Sequence, residues 1–97
     1  MTPASDVLYS ELDSRLRSLI SSIGAAVNAD EIAQVWEFVD HAEYGLALSM
    51  LAELLVLDEV PVTAENHREI ISLAQIMGIL DDLPSNMRVD PRPAHTA

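Results

Sequence analysis

The run from Tyr44 to Leu57, YGLALSMLAELLVL, constrains the fold more than any other part of this chain. Only Gly45, Ser49 and Glu53 in it are not apolar, and at roughly 100° per residue Ser49 and Glu53 fall side by side on one narrow edge. A helix that is apolar around nearly its whole circumference has to be enclosed by neighbours. The run is shorter than the ~20 residues that cross a bilayer, and Glu43, Asp58 and Glu59 close its ends with charge. It reads as the central helix of a small bundle, with the rest of the chain placed to cover it or to face away.

The flanking segments carry helical periods of their own. Leu8, Leu12, Leu16, Leu19 and Ile23 predict a cover helix that starts at a Ser5 cap with Asp6 in its first turn, turns Asp13 and Arg17 to water, and stops at Gly24. Asn28 to Glu31 has the form of a capping box. It opens a second helix with Ile32, Val35 and Val39 inward, Trp36 at the margin of that face and Asp30, Glu37 and His41 outward. Gly45, in the first turn of the central helix, suggests a close backbone approach. Beyond the central helix, Pro61 marks a turn and Thr63 caps a fourth helix. Ile70, Leu73, Ala74 and Met77 form its inner stripe, Glu65, Arg68, Ser72 and Gln75 lie outside, and Gly78 with Ile79 predicts a Schellman ending. The expected fold is all-α, a four-helix bundle over residues 1–83 followed by an irregular tail, 84–97, from which Met87, like Leu83 just before it, drapes over the bundle.

Charge is unevenly distributed. Asp30 to Asp82 holds twelve acids against the single base Arg68, while the remaining segments balance four acids with four arginines. The net charge of −11 therefore belongs to the middle of the chain, and lysine is absent. Such a surface repels nucleic acid and anionic membrane and steers basic partners toward it. Acidic surfaces also serve solubility alone. The start, MTPASDVLYSELDS, lacks the basic and apolar regions of a secretory signal, and no cysteine is present, so a cytoplasmic protein is expected.

Catalytic patterns are missing. The glycines Gly24, Gly45 and Gly78 are isolated, so no phosphate-cradling loop exists. His41, His67 and His95 fall in different segments without metal-ligand spacing, and Glu37 with His41 reads as an exposed pair one turn apart. Asp58 with Glu59 and Asp81 with Asp82 lie in turns, as solvated carboxylates. The expectation is a protein without enzymatic activity, cofactor or metal.

The stretch from Val35 to Ile79 resembles the MafI-type and contact-dependent growth inhibition immunity proteins of bacterial polymorphic toxin systems. The pattern is carried by Phe38, Val39, Asp40, Glu43 and Tyr44, then Leu46, Ala47 and Leu48, then Pro61 and Val62, then Met77 and Gly78. Ala42 stands where that pattern has glycine. The resemblance implies a helical inhibitor that binds a cognate toxin domain in the cytoplasm, the toxin often being a nuclease such as an EndoU-type ribonuclease. A basic nuclease cleft would suit the acidic segment. Partner-binding candidates are Trp36, Glu37, Asp40, Glu43, Tyr44, Asp58 and Glu59, the rings as anchors and the acids for steering and charge pairs. The alternative is a small acidic adaptor or secretion-chaperone-like module that holds a partner segment in an apolar groove.

Overall fold

The computed structural model describes residues 4–90, with side chains from Val7 onward. Four helices form the molecule: α1 (Ala4–Ile23), α2 (Ala29–Asp40), α3 (Tyr44–Leu57) and α4 (Ala64–Met77). Short 3-10 turns at Gly24–Ala26 and Leu80–Asp82 follow α1 and α4. The architecture is the expected all-α four-helix bundle, and α3 has the bounds that its apolar run suggested.

α3 supplies the centre of the core. Ala47, Leu48 and Leu51 are fully enclosed, in one cluster with Leu16 and Ile20 of α1, Val35 and Val39 of α2, and Ile70 and Leu73 of α4. Burial of each such leucine or isoleucine is worth about 1.5–3 kcal/mol. No buried polar or charged side chain interrupts the core of the described residues. Enclosure of α3 is incomplete, however: Leu46 is 53% exposed near its start and Leu57 72% exposed at its end.

The helix ends explain the path of the chain. Asn28 Oδ1 accepts from the Asp30 and Glu31 amides at 2.9 and 3.3 Å, so the cap of α2 forms. The reciprocal half of the capping box does not; the Glu31 carboxyl lies toward Asp58 instead. Thr63 Oγ1 accepts from the Asn66 amide at 3.0 Å and opens α4. The expected Ser5 cap is displaced, because α1 is already helical at Ala4 and its cap falls outside the described residues.

Three helices end alike. The amides of Glu43, Val60 and Ile79 reach back to the carbonyls of Phe38, Leu55 and Ala74 at 2.8, 2.9 and 2.9 Å. In each case the preceding residue is left-handed: Ala42 (φ 57°), Glu59 (φ 54°) and Gly78 (φ 71°). These are Schellman turns, and only the last uses glycine. Ile79 folds back against the core, as expected. The anticipated close approach at Gly45 is absent, since a Cβ there would meet Ile79 Cγ2 at an ordinary 3.8 Å. Gly24 is the crowded glycine, with Ile32 Cγ1 3.1 Å from a Cβ built on it.

The tail departs in part from expectation. Residues 84–88 lack regular structure, yet Met87 packs on the core, as does Leu83. Strand β2 (Val89–Asp90) then pairs in parallel with β1 (Val62–Thr63), and the Val62 amide donates to the Arg88 carbonyl at 2.9 Å. The rest of the tail lies outside the described residues.

Candidate protein-binding face

The junction between α2 and α3 gathers most of the residues that sequence reasoning singled out. Tyr44 opens α3 and is buried, its hydroxyl donating to Asp13 Oδ2 of α1 at 3.0 Å. Asp13 Oδ1 accepts from Arg17 Nε at 2.7 Å, and Arg17 Nη2 donates to Asp40 Oδ1 at 3.0 Å. The same guanidinium lies 5.9 Å from the centre of the Trp36 ring. Asp13 and Arg17 are thus not the wet face of α1 but the clasp that ties α1 to the α2–α3 junction. The clasp holds the Asp13 carboxyl below its ordinary range, through Arg17 first and the Tyr44 hydroxyl second, against partial desolvation. Burial, followed by the bond to Asp13, raises the Tyr44 hydroxyl.

Trp36, half-buried against the core, and Tyr44 are therefore engaged within the molecule. The exposed ring is Tyr9, at 55%, its centroid 6.2 Å from that of Tyr44. Sequence reading passed over it because Tyr9 lies off the leucine stripe of α1. It also placed Leu8 in the core, where the structure leaves it 41% exposed.

Leu8, Tyr9 and Leu12 of α1, Tyr44, Gly45 and Leu46 of α3, and Ile76, Met77 and Ile79 at the end of α4 line an open apolar groove of about 510 Å³. Its one charged lining residue is Glu43. Glu43 also lines a neighbouring shallow depression with Gln34, Glu37, Phe38 and His41. Apolar groove and acidic ledge therefore share a rim. On the ledge, His41 Nδ1 lies 2.8 Å from the Glu37 carbonyl rather than from its carboxylate, so this nitrogen carries the proton. That carbonyl, followed by the carboxylates of Glu37, Glu43 and Asp40, raises the His41 pKa.

Asp58 and Glu59 stand apart from this face. They follow the other end of α3, a helix whose length is about 21 Å. Glu31 is their neighbour there, its carboxyl raised by desolvation first and by the Asp58 charge second. The candidate set is thus divided between two acidic ends.

The acidic character of both ends is accentuated by where the bases are committed. Arg15 bonds Glu69 through Nε and Nη2 at 2.9 and 2.7 Å and Ser72 at 3.1 Å, fastening α1 to α4. Arg17 is in the clasp. The other described arginines, Arg68 and Arg88, are exposed and lie on neither α2 nor α3. Among the described residues no group of three or more His, Cys, Asp or Glu side chains could hold a metal ion, and no helix is long and apolar enough to cross a membrane. No family model, curated protein or solved structure matches the chain.

Proposed function

We propose that this protein is an immunity protein of the polymorphic or contact-dependent type, acting in the cytoplasm without catalysis and neutralising a cognate toxin by covering a basic cleft. A nuclease, and an EndoU-type ribonuclease in particular, is the toxin class that the family resemblance favours. The observation that carries the reading is the acidic α2–α3 junction, where Glu37 and Glu43 stand exposed and Asp40 pairs with Arg17, beside an exposed apolar groove. Acids of this kind raise association rates with a basic partner, and an apolar patch beside them slows dissociation.

Capture of the partner with the full chain as bait, followed by RNA degradation with and without stoichiometric protein, tests this reading. Suppression of the captured domain's ribonuclease activity is expected, and Glu37→Lys with Glu43→Lys should slow association, most clearly at low salt. Capture of a partner without any toxic activity to suppress would reject the immunity reading. It would favour a binding module that holds a partner segment, for which the open groove is the specific support.

A further inference from the structure

We propose that the groove between α1, α3 and α4 receives an amphipathic basic helix of the partner, with apolar side chains against Tyr9, Leu46 and Ile76 and an arginine or lysine paired with Glu43 and Glu37. The proposal rests on the inhibitor reading and names how the partner is held.

Single exposed hydrophobic residues are ordinary on protein surfaces, whereas contiguous ones mark interaction sites. Leu8, Tyr9, Leu46 and Ile76 are all more than 40% exposed and line one depression. The rim of that depression selects the sign of the occupant. Glu43 is its only charge, Glu37 lies on the adjoining ledge, and both arginines of α1 are held by acids, Arg15 by Glu69 and Arg17 by Asp13 and Asp40. A second copy of this chain is a poor occupant, because a two-fold contact would set Glu43 and Glu37 against themselves in two molecules that each carry −11. An added strand is disfavoured as well, since the only strand pair of the described residues adjoins the start of α4 and the groove lies at its end. Helix in groove is the remaining mode, read by apolar anchors one helical turn apart.

The test uses the full chain, labelled with ¹⁵N, and two synthetic helical peptides of about 16 residues, roughly 24 Å long. Both carry leucine at i, i+4, i+7 and i+11; one has arginine at the flanking positions and its twin has glutamate. The arginine peptide should shift the amides of Tyr9, Gly45, Leu46 and Ile79 and bind at least about tenfold more tightly than the twin, a difference of about 1.4 kcal/mol. Leu46→Asp and, separately, Ile76→Asp should each weaken it by about the same factor while leaving the helical circular dichroism unchanged, since both positions are exposed. Equal binding of the two peptides, no binding of the arginine peptide, shifts confined to another surface, or a dimer in sedimentation whose contact covers these amides would each overturn the proposal. Failure of the inhibitor reading looks different: the arginine peptide still seats in the groove, but no captured partner has a toxic activity. Conversely, neutralisation of a toxin that survives Leu46→Asp unchanged removes the groove and leaves the immunity reading standing.

Discussion

The Tyr44 hydroxyl and the Asp13 carboxylate meet at 3.0 Å, joining the first turn of α3 to the middle of α1 across 31 residues of sequence. Removing this oxygen in Tyr44→Phe keeps the ring in the core and should cost about 1 kcal/mol, the usual net worth of one hydrogen bond. Urea denaturation checks it, and a loss below about 0.3 kcal/mol would mean that Arg17 alone satisfies Asp13.

Left-handed backbone at Ala42 and Glu59 is strained for residues with a Cβ. Ala42→Gly and Glu59→Gly should therefore each stabilise the fold, by about 0.5–1 kcal/mol after the entropy that glycine adds to the unfolded chain. For a domain of this size the melting temperature should rise by about 4–8 °C per kcal/mol. Gly78→Ala, at φ 71°, should move it the other way.

Burial separates two leucines of the same helix. Leu51→Ala, at a fully enclosed site, should cost about 2–5 kcal/mol, whereas Leu57→Ala, at a site 72% exposed, should stay within about 0.5 kcal/mol. Equal losses in a chemical melt would contradict the packing described for α3.

Stability should decline on acidification. Asp13, held down by Arg17 and then Tyr44, and Glu69, held down by Arg15, both have folded pKa values below the unfolded ones. Their contribution is complete above the ordinary carboxylate range, near pH ~4, and is lost as pH falls through the folded values. Glu69→Gln should flatten this acid limb when unfolding is followed as a function of pH.

Asp58 acts in the opposite sense. Partial desolvation first and the Asp58 charge second raise the Glu31 carboxyl, and a negative group at the C-terminal end of α3 also opposes the helix dipole. Asp58→Asn should stabilise the protein at pH 7, and the gain should shrink as pH falls and Glu31 takes up its proton. A melting temperature unchanged at pH 7 would count against the Glu31–Asp58 repulsion.

Much of the architecture was legible in the sequence because it is local. The apolar run set the limits of α3, and Asn28, Thr63 and Gly78 marked helix ends through side-chain oxygens or a missing Cβ. Ala42 and Glu59 gave no such sign, since the left-handed turns they occupy are imposed by the returning hydrogen bonds from Glu43 and Val60. The site was harder to read for a related reason. Arg17 finds Asp40 23 residues away, and a helical period cannot distinguish that partner from water. Nor could the uniform run of α3 disclose that Leu46 stays uncovered, although three neighbouring helices in so short a chain leave little material to wrap a fourth completely. Tyr9, off the stripe, drew no reading from the helical period and became notable only with Tyr44 and the end of α4 beside it.

The pairing of Val62 and Thr63 with Val89 and Asp90 also determines how the molecule can be handled on a solid support. Asp90 is fastened beside the start of α4, whereas the groove lies at that helix's other end, about 21 Å along its axis. An affinity handle held at the β1–β2 pair is thus attached at the far end of α4 from Tyr9 and Leu46. Lysine is absent from the sequence, so amine coupling finds no side chain by which to hold the molecule. On a sensor surface, attachment on the β1–β2 side is the orientation that leaves this face open.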